Sequence, residues 1–324
     1  MTAPRYSVII PVFNRPEEMD ELLNSLVSQS YKNFEVVVIE DGSSIDCRSV
    51  VEKYQEKLRI DYFFKANSGP GPSRNFGFEK AIGDYLVVFD SDCILPATYF
   101  ESVNKFLDGS QVDAWGGPDR GHKNFTPLQQ AMAYTMSSFF TTGGIRGGTK
   151  MIGAYQPRSF NMGLSKKTFK KTGGFRFDRF AEDIELSIRM KKLDMKVVLI
   201  PEAYVFHKRR ATLLQFFQQV FNFGKGRALI GEVHKGEVKL VHWFPALFFI
   251  GICVIPVVGL FKLNLGVVIG ASYLIYFLLI GFDCFISTRD IAVSFLTIPS
   301  ALVQLAGYGL GFLLEKLKLL HAKF

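Results

Sequence analysis

Residues Tyr85–Cys93 read YLVVFDSDC, an apolar run that stops abruptly at two carboxylates. The run Tyr85–Phe89 is rich in β-branched and aromatic residues and is too short for a helix, so it predicts a buried strand. In an extended segment residues i and i+2 point the same way, so Asp90 and Asp92 can face one site. Two neighbouring carboxylates repel unless a cation lies between them, and oxygen ligands suit Mg²⁺ or Mn²⁺. A solvated, Asp-rich turn after a strand is the alternative.

The segments before this strand alternate between strand-like apolar runs and amphipathic helices. Ser7–Val12 and Phe34–Ile39 predict two more strands, and apolar residues at helical spacing from Met19 to Val27 predict a helix between them. Such alternation predicts an α/β fold with a mostly parallel central sheet and right-handed crossovers. In sheets of this kind ligands bind beyond the carboxyl ends of the strands.

Polar residues follow three of the predicted strands at that edge. Asn14 follows the first strand, Glu40 and Asp41 end the second, and Asp90 and Asp92 follow the third. A solvated turn would account for one polar strand end but not for three at the same edge. The convergence of these polar residues therefore favours a metal or ligand site.

Later segments predict less regular structure. Asn67–Gly77 predicts a Gly- and Pro-containing loop ahead of a short helix, and Ile94–Leu107 predicts a helix. The stretch that follows is irregular apart from a helical piece at Leu128–Phe140. A run of glycines within residues 142–148 predicts either a mobile loop over the site or a plain surface loop. Val197–Ile200 predicts the last strand.

Three uncharged stretches, residues 240–261, 263–282 and 291–314, follow the mixed part of the chain. Each meets the roughly 18–20 residues needed to cross a bilayer core. Buried helices of a soluble protein are the alternative, but three consecutive helices would then have to be apolar on every face. The sequence therefore predicts a multi-pass membrane protein.

A basic segment lies directly ahead of the first uncharged stretch. Between Val205 and Leu240 seven basic residues stand against two acidic ones, which accounts for most of the net charge of +8. A basic segment at this place favours anionic lipid headgroups and a cytoplasmic side. No nucleic-acid motif accompanies it, so no nucleic-acid partner is expected. The predicted organisation is a first domain at 1–210, an amphipathic basic interface segment at 211–239 and an α-helical membrane region at 240–324.

The last apolar stretch leaves the number of crossings open. With the basic segment in the cytoplasm, three crossings place the C-terminus outside, yet Lys316, Lys318 and Lys323 favour the cytoplasm. Pro299 and the glycines of the stretch are compatible with a kink or a re-entrant segment. The sequence therefore allows three spans, or two spans and a re-entrant segment.

Three segments taken together resemble the family-2 inverting glycosyltransferases of the GT-A fold. They are SVIIPVFNRPEEMDELLNSLVSQSYKNFEVVVIEDGSS (7–44), NSGPGPSRNFG (67–77) and DSD (90–92). The resemblance covers roughly residues 5–230, and the ordered set is specific although each piece alone is weak. It implies a GT-A type nucleotide-sugar-binding domain in which a divalent metal, Mg²⁺ or Mn²⁺, holds the pyrophosphate of a UDP- or GDP-linked sugar.

The resemblance also implies a role for each residue at the strand ends. Pro11 and Asp41 would line the nucleotide-base pocket, and Arg74 would lie near the base or the phosphate. Asp90 would contact the ribose, and Asp92 would hold the metal. The other residues expected at the donor site are Val12, Asn14, Glu40, Asn67, Gly69 and Ser91.

A second acidic pair, Glu182 and Asp183, opens a predicted helix after the turn Gly173–Asp178. Acidic residues at a helix N-terminus are favourable without any chemistry, which is one explanation of the pair. In the family this order precedes the catalytic base. The resemblance therefore implies that Asp183 deprotonates the acceptor hydroxyl, with Glu182 as its neighbour and Glu185 as a weaker alternative.

One histidine is a further candidate ligand. His207 follows an apolar segment, and in some GT-A enzymes a histidine near the end of the catalytic domain joins the metal ligands. The expected metal set is therefore Asp92, Asp90 and His207. A basic interface residue beside Lys208 is the alternative interpretation of this histidine.

These features predict a membrane-anchored, metal-dependent, inverting glycosyltransferase of the cell (inner) membrane with a cytoplasmic catalytic domain. The acceptor would be polyprenyl-linked or a surface glycan. Leu213–Leu229 predicts a helix in the membrane interface. Within it, Gln219–Phe223 lacks the Arg and Trp of the Q-x-x-R-W of processive synthases, which favours addition of a single sugar. The alternatives are a sugar nucleotidyltransferase and a non-catalytic, nucleotide-binding membrane scaffold.

Overall fold

The computed structural model describes residues 5–120, 125–143 and 155–322, which divide into two compact units. The first unit contains the described residues up to 120 together with 155–208, and the second contains 125–143 together with 209–322. Residues 125–143 thus group with the C-terminal helices and not with the segments that flank them in sequence. Residues 144–148 and Lys323, which enter two of the predictions above, lie outside the described residues.

Strands and helices alternate over most of the chain, and the last four α-helices follow one another without a strand between them. The strands are β1 (Tyr6–Val12), β2 (Phe34–Asp41), β3 (Ile60–Lys65), β4 (Tyr85–Phe89), β5 (Cys93–Ile94), β6 (Ala114–Gly116), β7 (Asp119–Arg120), β8 (Asn161–Ser165), β9 (Val197–Leu199) and β10 (Val205–His207). The helices are α1 (Pro16–Val27), α2 (Arg48–Glu52), α3 (Pro70–Lys80), α4 (Tyr99–Gly109), α5 (Pro127–Ser137), α6 (Phe139–Thr142), α7 (Lys166–Thr172), α8 (Glu182–Lys192), α9 (Leu213–Val233), α10 (Phe244–Phe261), α11 (Leu263–Thr288) and α12 (Ile291–His321).

The first unit is organised around a seven-stranded sheet of order β3-β2-β1-β4-β8-β6-β9. Strands β1 to β4 pair in parallel, as do β6 and β9, whereas β8 runs antiparallel to both of its neighbours. The predicted α/β fold with a mostly parallel sheet is confirmed. A second, three-stranded sheet has the order β5-β10-β7, and its strand β10 comes after the strand that the sequence predicts as the last.

The strands of the large sheet are buried on both faces, which explains their continuous apolar runs. Along β1, Val8 and Ile10 belong to one apolar cluster and Ile9 belongs to another, because successive side chains point to opposite faces. Full burial of each such side chain contributes about 1.5–3 kcal/mol relative to exposure. The two clusters hold the carboxyl ends of β1, β2 and β4 at a common edge of the sheet.

Two predicted elements differ from the structure. Helix α3 begins at Pro70, so most of the segment predicted as a loop is helical, and a proline at this position has no amide hydrogen to leave unpaired. The helix predicted to begin at Ile94 begins at Tyr99, because Ile94 pairs with Phe206 in the small sheet.

Among its described residues, the second unit contains helices and no strand. Among those residues, three helices are long and apolar enough to cross a membrane: Leu240–Phe261, Leu263–Thr288 and Ile291–His321. These helices match the three predicted stretches, and the last two extend further towards the C-terminus. Helix α12 is continuous over 31 residues although Pro299 lies within it, so the glycines of this stretch do not interrupt it.

Those glycines are points of close helix packing. A Cβ atom at Gly311 would lie 2.1 Å from the carbonyl oxygen of Phe221 on α9, and one at Gly309 would lie 2.2 Å from the carbonyl oxygen of Pro245 on α10. Only glycine allows the backbones to approach this closely, as is common between helices in membranes. The glycines therefore serve contact between helices.

Candidate active site

Asp92 lies directly before β5 and is only 6% exposed. Its Oδ2 accepts a hydrogen bond of 2.5 Å from Nη1 of Arg15, and its Oδ1 lies 3.1 Å from Nε2 of His207. Arg15 lies in the turn between β1 and α1. One carboxylate that follows β4 is therefore contacted by a cation from the turn after β1 and by an imidazole from β10.

His207 reaches this position through the small sheet. Strand β10 pairs antiparallel with β5, and His207 is aligned with Cys93. The ring of Phe160 stacks on the imidazole with centroids 4.6 Å apart. Nδ1 of His207 is buried, and within the described part of the chain no hydrogen-bond partner for it is present.

Asp92, Cys93 and His207 each offer one ligand atom, and these atoms lie within 4.8 Å of one another. A carboxylate and an imidazole suit divalent transition metals such as Mn²⁺, and an imidazole nitrogen without a hydrogen-bond partner is open to coordination. Burial raises the pKa of the Cys93 thiol well above its usual value, and its Sγ contacts the carbonyl oxygen of Phe160 at 3.5 Å. Because Mg²⁺ and Mn²⁺ prefer oxygen and nitrogen ligands to sulfur, the fitting pair is Asp92 and His207.

Asp90 is engaged elsewhere. Nη2 of Arg74 donates to Oδ1 of Asp90 at 2.7 Å, and Nη1 of the same guanidinium donates to Oε1 of Glu182 at 2.7 Å. Burial lowers the pKa of Arg74, but attraction to both carboxylates outweighs it and raises the pKa above its usual value. Arg74 is 3% exposed. Its guanidinium bridges the acid after β4 and the acid that begins α8. The resemblance implies a position near the base or the phosphate for this residue.

The two acids at the start of α8 differ in their surroundings. Burial raises the pKa of Glu182 to about 7, Arg74 opposes this rise and Asp183 adds to it. Asp183 is the more open of the two, with its side chain 15% exposed against 9% for Glu182. Its Oδ1 accepts from the amide of Ile184 at 2.7 Å, and its Oδ2 lies 3.7 Å from Nη1 of Arg158. Asp183 is therefore the more accessible carboxylate of the pair.

A second charged cluster forms at the end of β2. Asp41 accepts hydrogen bonds from the amides of Ser68 and Gly69, both at 2.9 Å, and from the ammonium group of Lys65. Burial favours the neutral acid, but these donors outweigh it and lower the pKa of Asp41. The side-chain amide of Asn67 donates to the carbonyl oxygen of Asp41 at 2.7 Å. The structure thus brings together Asp41, Asn67 and Gly69, as the sequence predicts.

Gly69 occupies a position that requires glycine. Its φ is +96°, and a Cβ atom there would lie 2.8 Å from the carbonyl oxygen of Asp178. The amide of Gly71 donates to that same oxygen at 2.9 Å. The start of α3 is therefore tied to the turn that leads to Glu182 and Asp183.

Two residues expected at the donor site hold the loop after β2 instead. Glu40 is fully buried, and its Oε2 accepts from the amide of Cys47 at 2.8 Å and from the hydroxyl of Tyr62 at 3.2 Å. Asn14 adopts φ 54° and accepts with Oδ1 from the amides of Ser44, at 2.9 Å, and Ile45, at 3.1 Å. Glu40 faces inward because the residues that follow it fold back over its carboxylate.

The remaining expected residues lie at the ends of β1 and β4. Pro11 is partly buried opposite Ile39, at the end of β1. Val12 is 3% exposed and belongs to an apolar cluster, and Ser91 is 4% exposed. Val12 is thus a core residue that lies beneath the polar edge.

Sequence reasoning missed two cations of this site, Arg15 and Lys65. Both lie at the carboxyl ends of strands, β1 and β3, so the rule that located the acids could also have found their counter-ions. The sequence offers a third cation, Arg158, only as a possible contact for an acceptor phosphate. In the structure a bridge to Asn161 places Arg158 ahead of β8, with Nη1 at 3.7 Å from Oδ2 of Asp183.

Comparison with known proteins adds relatives of part of this chain. Poly(ribitol-phosphate) beta-N-acetylglucosaminyltransferase TarS of Staphylococcus aureus is 34% identical over 113 residues, which cover 34% of this chain and 20% of that protein. GalNAc(5)-diNAcBac-PP-undecaprenol beta-1,3-glucosyltransferase of Campylobacter jejuni is 37% identical over 92 residues, covering 28% of this chain and 30% of that protein. The matched segments thus span less than a third of either relative.

Solved structures share the fold over a longer range. A mannosyltransferase from Pyrobaculum calidifontis, in complex with GDP-Man and Mn2+, has a TM-score of 0.60 at 15% identity and covers 98% of this chain and 88% of its own. Residues 1–349 of S. aureus TarS give a TM-score of 0.51 at 23% identity, covering 74% and 68%. At these identities the likeness shows the fold alone, and the expected GT-A type fold is confirmed.

The sequence match to a family is longer than either of these matches to a curated relative. Residues 7–171 match the profile of the family described as Glycosyl transferase family 2, and this segment contains β1 to β4 with their polar ends. The match covers just over half of the 324 residues, and the chain therefore belongs to glycosyl transferase family 2.

Proposed function

We propose that this protein is a membrane-anchored, inverting glycosyltransferase that moves a sugar from a nucleoside-diphosphate donor to a lipid-linked or glycan acceptor. The observation that carries the proposal is the meeting of Asp92 and His207, 3.1 Å apart, at the edge that also holds Asp41. A scaffold that does not react with its ligand has no need of this carboxylate–imidazole pair. Family membership and three long apolar helices favour a transferase over a sugar nucleotidyltransferase.

The donor would bind along the carboxyl ends of β1, β2 and β4. Asp41, held in place by Lys65 and two amides, is suited to accept hydrogen bonds from the nucleotide base. Asp92 and His207 would hold a divalent metal, which supplies positive charge to the pyrophosphate as it leaves. The requirement for charge there follows from the chemistry, because a nucleoside diphosphate leaves with more negative charge than it carries in the donor.

The transfer step requires a base on the side of the acceptor. Asp183 would take the proton from the acceptor hydroxyl. At the same time the hydroxyl oxygen would attack the anomeric carbon, and the bond from that carbon to the diphosphate would break. A single displacement of this kind inverts the anomeric configuration. The guanidinium of Arg158 lies 3.7 Å from Oδ2 of Asp183, so a cation stands beside the proposed base.

Donor and acceptor classes are suggested by similar proteins. TarS is named as a beta-N-acetylglucosaminyltransferase, the C. jejuni relative is named for a substrate linked to PP-undecaprenol, and the P. calidifontis structure contains GDP-Man. We propose a UDP- or GDP-linked donor and a polyprenyl-linked or glycan acceptor for this chain. The basic residues ahead of the first apolar helix favour the inner cell membrane with the catalytic unit on the cytoplasmic side.

The test uses the purified full chain in detergent with a panel of UDP- and GDP-linked sugars. Thermal shift reports donor binding with and without Mn²⁺, and release of the nucleoside diphosphate in the presence of acceptor reports transfer. Asp183→Asn should keep donor binding and lose transfer by at least about a hundredfold. Asp61→Asn, at an exposed position on β3, is the matched control. Unchanged transfer by Asp183→Asn would remove the assigned base.

A further inference from the structure

Helices α5 and α6 are two short segments, separated at Ser138, that belong to the helical unit. On one side of α5, Met132 and Met136 pack with Phe216 and Val220 of α9. On another side, Ala131 packs with residues of α11 and α12, namely Cys284 and Val293. Hydropathy does not reveal this segment, because neither helix is long enough to cross a bilayer.

Two contacts fix the depth of this segment along α11. The hydroxyl of Tyr134 on α5 donates to the carboxylate of Asp283, near the C-terminal end of α11. The hydroxyl of Tyr276 donates at 2.6 Å to the carbonyl oxygen of Phe140 on α6. Helix α11 has 26 residues and is about 39 Å long at 1.5 Å per residue, and Tyr276 lies about 18 Å from its C-terminal end. The segment therefore extends from the end of a candidate span to near its middle.

The backbone at the break between α5 and α6 is satisfied by side chains of the protein. The carbonyl oxygen of Thr135 accepts from Nε2 of Gln304 on α12, at 3.1 Å, and from the hydroxyl of Thr141. The carbonyl oxygen of Phe140 accepts a hydrogen bond from the hydroxyl of Tyr276. The last carbonyls of a helix ordinarily turn to water, whereas in a bilayer a helix can end only where protein groups take the place of water.

The outer surface of α6 is apolar and exposed. Phe139 is 71% exposed and Phe140 is 39% exposed. The part of α11 around Tyr276 also exposes large aliphatic side chains: Leu274, Ile275, Leu278 and Leu279. In water such a combined surface would be a substantial exposed apolar patch, and such patches mark contact with a membrane or a partner.

We propose that α5 and α6 form a membrane-embedded element that enters the bilayer beside α11, reaches the level of Tyr276 and presents Phe139 and Phe140 to lipid acyl chains. The chain is then held in the bilayer at two places, by α10–α12 and by a segment inserted between β7 and β8. Acyl chains are the occupant because the adjoining surface is the exposed face of a candidate span. The proposal rests on membrane insertion of the apolar helices and is independent of the transferase chemistry.

The test places a tryptophan at residue 139 of the full chain, reconstituted into phosphatidylcholine vesicles. The background carries Trp243→Phe, because Trp243 is 40% exposed whereas Trp115 is fully buried. Leu278→Trp, 54% exposed on α11, is the lipid-facing reference, and Phe64→Trp, 53% exposed on β3, is the water-facing reference. We expect lipids brominated midway along the acyl chain to quench Phe139→Trp as strongly as Leu278→Trp, and acrylamide to quench it several-fold less than Phe64→Trp.

Quenching of Phe139→Trp by acrylamide to the level of Phe64→Trp, with no effect of brominated lipid, would overturn the proposal. Phe140→Trp provides a second position, 39% exposed, should the first variant fail to fold. Quenching of Phe140→Trp by brominated lipid supports the proposal, and quenching by acrylamide to the level of Phe64→Trp overturns it. Loss of transferase activity in any of these variants leaves the fluorescence result unaffected, so failure of the proposed function is distinguishable from failure of this proposal.

Discussion

Nη1 of Arg15 lies 2.5 Å from Oδ2 of Asp92, and His207 contacts the other oxygen of the same carboxylate. Burial lowers the pKa of Arg15, but Asp92 outweighs this effect and raises it. The guanidinium thus compensates the charge of a nearly buried acid. A divalent cation that binds Asp92 has to share the carboxylate with Arg15 or displace it.

Arg15→Ala is therefore expected to tighten Mn²⁺ binding by about fivefold, since a partly exposed ion pair is worth on the order of 1 kcal/mol. Electron paramagnetic resonance of free Mn²⁺ measures the affinity. Arg5→Ala, which removes an ion pair with Asp108, is the matched control. Weaker Mn²⁺ binding by Arg15→Ala would mean that Arg15 positions Asp92 and does not compete with the metal.

Removing either proposed metal ligand should weaken metal binding strongly. Asp92→Asn and His207→Ala are each expected to weaken Mn²⁺ affinity by about 100-fold, because the loss of one ligand leaves an incomplete site. Cys93→Ser should leave the affinity within about twofold, since Mn²⁺ prefers oxygen and nitrogen ligands to sulfur. The same Mn²⁺ titration checks all three variants. A loss in Cys93→Ser as large as that in Asp92→Asn would show that sulfur is a ligand.

The bridge formed by Arg74 predicts a pattern of stability in double variants. Arg74→Met should lower the free energy of unfolding by about 3 kcal/mol, because Glu182 and Asp90 lose the hydrogen bonds that the buried guanidinium donates. Glu182→Gln should partly rescue that variant, because an amide does not require the cation. Thermal denaturation of the purified chain measures both. Additive losses in the double variant would show that the two residues are not coupled.

Glu182 also predicts a pH dependence of stability. Its pKa in the folded protein, about 7, lies above that of a free glutamate, so the folded state holds its proton more tightly than the unfolded state does. This contribution to stability is full below about pH 4.5 and is lost as the pH rises to about 7. Across that range wild type should lose about 2 kcal/mol more stability than Glu182→Gln. Parallel pH profiles of the melting temperature would contradict the assignment.

The close approach of α9 and α12 predicts an effect of a single methyl group. In Gly311→Ala the new Cβ atom would lie 2.1 Å from the carbonyl oxygen of Phe221, so the helices must separate, at a cost of about 1–3 kcal/mol. Gly259→Ala on α10 meets no atom within 4 Å and serves as control. Melting in detergent should show a lower midpoint for Gly311→Ala alone. An equal midpoint for both variants would exclude tight packing at Gly311.

What the sequence determined is local. The apolar run of β4 and the acids behind it follow from residue order, because the apolar layers on both faces of the sheet favour apolar side chains up to Phe89 and the two acids begin beyond it. The three long apolar helices follow for a similar reason, since a bilayer requires a minimum length of uncharged residues. Residues at the ends of β1, β2 and β4 could be assigned to one edge because parallel strands share their direction.

The partner of each acid was decided by tertiary structure. Asp92 meets His207 only because β10 returns to pair with β5. Arg74 joins Asp90 to Glu182 because Gly71 on α3 bonds to Asp178, in the turn that leads to α8. Glu40 and Asp41 are neighbours at the end of β2, yet the carboxylate of Glu40 points inward, where the hydroxyl of Tyr62 and the amide of Cys47 donate to it. Contacts between distant segments depend on how layers pack, and periodicity along the chain does not carry that information.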